Sequence, residues 1–299
     1  MDAQVQHARD MVDGIDGVTT ATRQGGTVIN IATSAGHAAV ALQGAQLLSW
    51  QPSGQSHDVM WQSPLTRFGG GEAIRGGIPI CWPWFSKHAD AAKPQHGFAR
   101  NVLWRLTAAE RIGDNVRLDF QLPADCLGRE HLDGSAELSF RVTISHTLDM
   151  ALTTKNVGAT PFTVTQALHT YFHVGDVGRI DIAGLDGATY RDNTDGGREK
   201  RLTGALMIAR ETVALFDEAP PVQTLTDPVL ARRIVVTRTG GTSTVVWNPG
   251  AAASTMGDIP ARAQNQFVCI ESGAIGRAAT TLSPGGSVMI GAHYEVKKT

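Results

Sequence analysis

Short apolar or alternating runs, each bounded by glycine, proline or other turn residues, recur along the whole chain. Runs of about 5–8 residues that are rich in valine, isoleucine, threonine and phenylalanine are typical of β-strands. The clearest runs are GTVINIAT, HAAVALQG, NVRLDFQLP, AELSFRVTISHTLD, FTVTQALHTYF, RRIVVTRT, TSTVVWNP, QNQFVCIESG and GSVMIGAHYEV. We therefore predict an all-β protein in which two large antiparallel sheets pack face to face.

Helical patterns are scarce. The first residues, MDAQVQHARDMVDG, predict one short helix, and the segment from Ala124 to Leu132 predicts a turn of another. No repeat, charge block or linker divides the chain into parts of different composition. We therefore predict a single β-sandwich domain over residues 1–299, with residues 1–20 as an N-terminal extension that is partly helical.

The bulk composition restricts the kinds of partner. With 26 basic and 28 acidic residues, no overall field draws the chain to nucleic acid or to an anionic membrane. We find neither the apolar core of a signal peptide nor the roughly 20 apolar residues of a membrane span, and we expect a cytoplasmic monomer. The three cysteines form no CxxC pair, which argues against a disulfide framework or a zinc ribbon.

The stretch over residues 67–100 combines glycines and prolines with aromatic residues and cations. The guanidinium groups of Arg75 and Arg100 suit phosphate, and aromatic rings suit the C–H faces of a sugar. Gln95 and His96 add partners for hydroxyl groups. This composition predicts a small, anionic, hydroxylated ligand, although a solvated loop arginine or a loop histidine is the alternative at these positions. The segment GGGEAIRGG lacks the Lys-Ser/Thr of a P-loop.

Glu271 ends an apolar strand, FVCIESG, just before a glycine turn. Partial desolvation there raises the pKa of a carboxyl group toward the range of a general base, and a surface carboxylate is the alternative.

His169 and His173 lie four residues apart, or about 13 Å along a strand. Because both ligands of one zinc ion lie about 2.1 Å from it, a shared zinc is excluded on a strand. A structural, hydrogen-bonded histidine is the commoner outcome for each.

Two further side chains have predicted environments. Trp247 lies in the strand TSTVVWNP, where a buried tryptophan is a commoner outcome than one that lines a sugar site. Cys81 stands between Ile80 and Trp82 and is expected to be a buried thiol rather than an activated one.

Seven segments, taken in order from Gly44 to Gly273, resemble one known family. They are GAQLLSWQP, RGGIPICWPWF, QHGFAR, LHTYFHV, LDGATYRD, WNP and FVCIESG. Together they resemble the glucose-6-phosphate 1-epimerase (D-hexose-6-phosphate mutarotase) family, within the larger aldose 1-epimerase group. The resemblance implies a galactose-mutarotase-like antiparallel β-supersandwich. It also implies interconversion of the α and β anomers of a D-hexose 6-phosphate, with no cofactor and no metal.

The resemblance also implies roles for single residues. His169, in the LHTYF motif, takes the place of the family's general acid, and Glu271 that of its general base. Arg75, Gln95 and Arg100 match positions that hold the substrate, the arginines as phosphate ligands, and His96 of the HGFAR motif joins this substrate-binding set. We expect an ionised base and a protonated acid at neutral pH, so His169 needs a neighbouring acceptor to keep its charge.

One departure from the family concerns the sugar. Val213, in ETVALFDEAPP, stands where many relatives carry an aspartate that contacts the sugar. Either Asp217 replaces that aspartate from a shifted turn or the contact is lost, and the preferred hexose stays open.

Three other functions remain: an epimerase of unphosphorylated aldoses, a sugar-phosphate-binding protein without catalysis, and a lyase or hydrolase. A hydrolase normally needs two carboxylates, and only Glu271 has a suitable setting.

Overall fold

The computed structural model describes residues 3–69, 71–126 and 135–299. The predicted N-terminal helix, α1, spans Ala3–Val12. In the segment predicted to form a helical turn, Ala124–Cys126 is a short 3₁₀ helix, and residues 127–132 lie outside the described residues. The other 3₁₀ helices are Ala99–Asn101, Val177–Arg179, Asn193–Asp195, Gly250–Thr255, Ala263–Gln266 and Gly276–Ala278.

The rest of the regular structure is β-strand, as the alternating patterns predict. In chain order the strands are β1 Val18–Arg23, β2 Gly26–Thr33, β3 Gly36–Ala41, β4 Leu47–Pro52, β5 Ile80–Cys81, β6 Arg105–Ile112, β7 Asn115–Gln121, β8 Ala136–Ile144, β9 Thr147–Asn156, β10 Phe162–Val164, β11 Gln166–Leu168, β12 Tyr171–His173, β13 Asp181–Ala183, β14 Thr189–Asp192, β15 Arg198–Arg201, β16 Leu206–Met207, β17 Thr212–Phe216, β18 Val222–Asp227, β19 Arg232–Thr239, β20 Ser243–Asn248, β21 Phe267–Ala274, β22 Thr280–Leu282 and β23 Ser287–Lys298. The run FTVTQALHTYF, which reads as continuous, is divided among β10, β11 and β12.

Two large antiparallel sheets dominate the fold, which confirms the predicted class. One has nine strands in the order β16-β13-β18-β19-β23-β9-β8-β7-β6. The other has eight strands in the order β15-β14-β17-β20-β21-β11-β5, with β12 also paired to β21. A four-stranded sheet, β1-β2-β3-β4, and a two-stranded one, β10-β22, complete the architecture.

The two large sheets face each other across the main hydrophobic core. Contacts between them include the rings of Phe172 and Tyr294, whose centroids are 5.1 Å apart, and the hydroxyls of Thr170 and Tyr294, 2.5 Å apart. Burial of apolar area at roughly 25 cal/mol per Å² makes this core the main source of stability. No helix in the described part of the chain is long and apolar enough to cross a membrane.

Strand β21 is buried on both of its faces. Because side chains alternate along a strand, Val268 and Ile270 point into the main core. Cys269 and Glu271 point to the opposite, outer face of the eight-stranded sheet. A cavity lies on that outer face.

Candidate active site

A row of side chains across the outer face of the eight-stranded sheet begins with the predicted acid and base. The β11–β21 ladder ends with Leu168 opposite Ser272, so the next residues along the two strands, His169 and Glu271, face each other. Residues that lie directly opposite in an antiparallel pair share one face of the sheet. The β20 and β17 registers extend the row. In order across the sheet, its members are His169, Glu271, Val245 and Leu215.

A second row lies two residues further along each strand. Tyr171 is opposite Cys269, Cys269 opposite Trp247, and Trp247 opposite Val213. Trp247 is only partly buried and lines the cavity. The expectation of a buried strand tryptophan is therefore wrong, because Trp247 lies on the outer face whereas its neighbour Val246 lies in the core.

The two rows form the floor of a cavity of about 250 Å³. This volume lies just below the range of about 300–1,000 Å³ usual for drug-sized ligands, and it suits a single monosaccharide. All six predicted site residues line this cavity: His169, Glu271, Arg75, Gln95, His96 and Arg100. The sequence analysis did not assign Tyr171, Asn193 or Met256, which also line it. Of these, only Tyr171 lay within a motif already quoted.

His169 and Glu271 form a close, buried pair. His169 Nε2 lies 3.5 Å from Glu271 Oε1, and the two side chains are 7% and 2% exposed. This distance is long for a hydrogen bond, so each group can turn toward a substrate. His169 Nδ1 and Glu271 Oε2 are buried with no hydrogen-bond partner among the described residues, and the pair can therefore accept or donate two further hydrogen bonds.

Burial sets the electrostatics of this pair. It lowers the pKa of His169 well below 6.5, and the positive charges of Arg100 and Arg75 act in the same direction. Burial raises the pKa of Glu271 well above 4.5, which Arg100 partly opposes. The expectation that a neighbour keeps His169 protonated is therefore wrong, because the groups that surround it are buried or cationic. Both shifts favour the neutral pair, a carboxylic acid beside an imidazole, over the ionised one.

Aromatic rings fix the position of His169. Its ring is stacked on Tyr171, with centroids 4.9 Å apart and planes 13° apart. Trp247 and His96 present their rings edge-on at 5.8 and 5.5 Å. The imidazole is thus held on several sides while its Nδ1 has no hydrogen-bond partner among the described residues.

Arg75 reaches the cavity from a turn that only glycine permits. Gly76 and Gly77 follow it with φ of 105° and 61°, and a Cβ on Gly77 would overlap the carbonyl oxygen of Leu47. The guanidinium donates from Nε to Asp258 Oδ2 at 2.8 Å and from NH1 to the Tyr171 hydroxyl at 2.8 Å. The flanking glycines seen in the sequence therefore shape the approach of a site residue.

His96 and Gln95 form a linked pair on the cavity wall. His96 Nδ1 accepts a hydrogen bond from the Ser86 backbone N–H at 3.1 Å, and burial lowers the pKa of His96 to about 3, helped by Arg100 and Arg75. His96 is therefore neutral and carries its proton on Nε2. The Gln95 side-chain amide lies 3.2 Å from that nitrogen. The nearer amide atom is Gln95 Nε2. Because His96 Nε2 is itself a donor, the amide has to turn its oxygen toward His96 for a hydrogen bond to form, and its NH2 group then faces away.

Arg100 is the less neutralised of the two arginines. Its NH2 donates to the Gln95 carbonyl oxygen at 2.7 Å, and its Nε is buried without a partner. In the described part of the chain no carboxylate lies within 4.0 Å of Arg100, whereas Arg75 is paired with Asp258. Arg100 thus brings a full positive charge to the cavity.

Asp217 does not reach the position of Val213. Val213 lines the cavity, but Asp217 lies four residues further along, or about 13 Å away. Its carboxylate pairs with Arg191 at 3.0 Å and accepts from the Arg277 backbone N–H at 3.2 Å. The alternative in which Asp217 takes the place of the family aspartate is therefore wrong. The other alternative, loss of that contact, remains.

The remaining predictions concern His173 and the cysteines. His173 lies in a separate surface groove, where its ring centroid is 6.0 Å from that of His57. No group of three or more potential metal-ligating side chains lies close together within residues 3–69, 71–126 and 135–299. Cys81 is a fully buried free thiol, as predicted, and burial raises its pKa.

Comparison with known proteins identifies the family. The family model for aldose 1-epimerase matches residues 27–294. A curated Escherichia coli (strain K12) protein named "Putative glucose-6-phosphate 1-epimerase" is 37% identical over 237 residues, which are 79% of each chain. The crystal structure of a "putative mutarotase" from Salmonella typhimurium is 31% identical and matches with a TM-score of 0.90 over 96% of each chain. A galactose mutarotase-like protein from Clostridium acetobutylicum, at 12% identity and a TM-score of 0.74, covers 94% of this chain and 98% of its own and shares the fold.

The chain therefore belongs to the aldose 1-epimerase family and has a galactose-mutarotase-like fold. The resemblance seen in the seven sequence motifs is confirmed. Membership makes the protein an isomerase of the epimerase or mutarotase type, active in carbohydrate metabolism.

Proposed function

We propose that the protein interconverts the α and β anomers of a D-hexose 6-phosphate, which is the reaction of a glucose-6-phosphate 1-epimerase. The observation that carries this proposal is the buried His169–Glu271 pair on the floor of a monosaccharide-sized cavity that two arginines also line. The name of the Escherichia coli relative supports the same substrate class.

The reaction requires two proton transfers at one hemiacetal. Glu271 removes the proton from the anomeric hydroxyl O1 while His169 donates a proton to the ring oxygen O5. The electron pair of the O1–H bond forms the C1=O1 carbonyl, and the C1–O5 bond breaks with its electron pair on O5. Rotation about C1–C2 exposes the other face of the carbonyl. Reversal of both transfers closes the ring as the other anomer and restores both side chains.

One proton shared by the pair is enough for this cycle. Between the lowered pKa of His169 and the raised pKa of Glu271 the pair holds a single proton. Transfer of that proton from Glu271 to His169 converts the resting pair into a carboxylate and an imidazolium without any exchange with solvent. The resting pair and the carboxylate–imidazolium pair therefore carry the same number of protons. Substrate binding has only to favour the carboxylate–imidazolium pair.

The arginines supply the selection for phosphate. Arg100, with its charge uncompensated by a carboxylate, offers the stronger site for a dianion, and charge-assisted hydrogen bonds from guanidinium to phosphate are roughly twice as strong as neutral ones. Arg75 contributes less charge because Asp258 already binds its Nε edge. Gln95 and the aromatic face of Trp247 remain for the hydroxyl groups and the C–H face of the sugar.

The direct test is exchange NMR between the α and β anomers of glucose 6-phosphate and of glucose, with and without the protein. We expect acceleration for glucose 6-phosphate and little or none for glucose. Equal acceleration of both sugars would instead indicate an epimerase of unphosphorylated aldoses. Binding of glucose 6-phosphate without acceleration would indicate a binding protein, and the proposal would then be abandoned.

The pH dependence follows from the directions of the two pKa shifts. Because the pKa of His169 lies below 6.5, the second proton that inactivates the pair is gained only as the pH falls below 6.5. Because the pKa of Glu271 is raised above 4.5, the last proton is lost only on its alkaline side. We therefore expect kcat at saturating glucose 6-phosphate to show no loss as the pH is lowered from 7.5 to 6.5. An acid limb with an apparent pKa above 6.5 would contradict this assignment. Measuring kcat avoids the second ionisation of the phosphate, near pH 6, which affects KM.

A further inference from the structure

The segment of residues 250–266, here called the strap, runs beside the cavity between strands β20 and β21. It contains the short helices Gly250–Thr255 and Ala263–Gln266. Met256 of the strap lines the cavity, and Asp258 pairs with Arg75. The strap therefore touches the ligand-binding groups at two points, and its acidic contact has no role in the mechanism above.

Asp258 binds the Nε–H of Arg75. Its Oδ2 accepts from Arg75 Nε at 2.8 Å, while NH1 donates to the Tyr171 hydroxyl at 2.8 Å. A planar guanidinium held at two of its nitrogens cannot rotate about its stem. The third nitrogen, NH2, has no protein partner among the described residues and is left for a ligand.

The backbone around this ion pair is fixed by one buried residue. Ser63, which is 2% exposed, donates its backbone N–H to the Arg75 carbonyl oxygen at 3.1 Å. Its hydroxyl donates to the Asp258 carbonyl oxygen at 2.5 Å. The backbone N–H of Arg75 is in turn bound by the Thr66 hydroxyl at 2.8 Å. The two partners of the ion pair thus share a common anchor that does not involve the Asp258 carboxylate.

The strap itself is packed on a small apolar cluster. Its residues Ala253, Ile259 and Ala263 pack with Trp61, Tyr171 and Phe267. Asn248 Nδ2 also donates to the backbone carbonyl oxygens of Gln264 and Phe267, both at 2.8 Å. This packing holds the backbone of the strap through contacts other than the ion pair.

We propose that Asp258 is a positioning residue of the active site, which orients the Arg75 guanidinium so that its NH2 faces the sugar phosphate. The proposal rests on the proposed function for the identity of the ligand. Asp258 does not itself line the cavity, so it acts through Arg75. Its contribution is to substrate binding, because Arg75 takes no part in the proton transfers.

The test compares Asp258→Ala and Asp258→Asn. The alanine variant loses the acceptor, and we expect KM for glucose 6-phosphate to rise about 5- to 10-fold with kcat within about 2-fold of wild type. The asparagine variant keeps an oxygen acceptor for Nε, and we expect its KM to stay within about 2-fold. In an Arg75→Gln background, Asp258→Ala should have no further effect, since its partner is already gone.

The matched control is Asp149→Ala, which removes a carboxylate contact of similar length, 2.7 Å to His293 Nδ1, from the nine-stranded sheet. It should leave KM and kcat unchanged, and melting temperatures check that every variant is folded. Unchanged KM in Asp258→Ala, an equal loss in the asparagine variant, or a fall in kcat alone would overturn the positioning role.

An independent readout separates this proposal from the proposed function. Should wild-type protein accelerate no anomer exchange, the proposed function fails, and titration of the intrinsic tryptophan fluorescence with glucose 6-phosphate still measures binding. Weaker binding in Asp258→Ala than in Asp149→Ala would then support the positioning role, and equal binding in the two variants would overturn it.

Discussion

Replacing Glu271 by glutamine is expected to lower kcat for anomer exchange of glucose 6-phosphate by about 10²–10⁴-fold, the usual contribution of one general acid–base group. Glutamine keeps the shape of the side chain but cannot take the proton from O1. Replacing His169 by asparagine should have an effect of the same order, because the ring oxygen then lacks its acid. KM should change much less than kcat in both variants, since neither group is a phosphate ligand.

The two losses should also be non-additive. With one member of the pair removed, the shared proton has no second site, so the double variant should be little slower than the slower single variant. Glu295→Gln is the control, because it alters a strand carboxylate of the nine-stranded sheet that is paired with Lys297. Turnover near the wild-type rate in Glu271→Gln and His169→Asn would refute the assignment of both roles.

Replacing Arg100 by glutamine is expected to raise KM for glucose 6-phosphate by about 10- to 100-fold. Hydrogen bonds to charged groups contribute about 1.5–3 kcal/mol, and each 1.4 kcal/mol is a tenfold change in affinity. The same replacement should have a much smaller effect on the inhibition constant of unphosphorylated glucose, because a hydroxyl group carries no charge for the arginine to bind. The change in kcat should be smaller than the change in KM.

Arg75→Gln should show the same selectivity with a smaller effect, because Asp258 neutralises part of the charge on Arg75. Arg141→Gln is the control: it breaks a 2.6 Å ion pair with Asp119 in the nine-stranded sheet and should leave both constants unchanged. Equal weakening of glucose and glucose 6-phosphate by the Arg100 change would show that this arginine is structural. The selection for phosphate would then need another cation.

The sequence predicts the sandwich well because period-two apolar patterns depend only on which face of a strand is buried. It also identifies His169, Glu271 and the glycine-flanked Arg75 as candidate site residues, but Glu271 lies buried within β21 rather than at the strand end that the sequence predicts. It cannot bring the first two together, since they are about a hundred positions apart and meet only through the register of β11 and β21. The same limit explains the wrong expectation for Trp247. The register decides which face of the sheet its side chain occupies, and that face is only partly buried because a cavity lies on it.

The protonation of His169 could not be predicted from the sequence for a related reason. A protonated His169 was expected because an acid is needed, but its pKa depends on how deeply the ring is buried and on which cations lie near it. Arg75, His96 and Arg100 come from loops whose paths are not encoded in any periodic pattern. Arg75 and Asp258 are far apart in the chain, and neither segment contains a pattern that predicts their ion pair.

The double burial of strand β21 has an evolutionary consequence. Because Ile270 and Glu271 serve the core and the cavity from adjacent positions, a slip of one residue would exchange them, and any insertion there would destroy fold and chemistry together. The groups that recognise the substrate come mostly from loops, which tolerate change far better. Substrate preference can therefore change in the loops without disturbing the His169–Glu271 pair, which the strand register holds together.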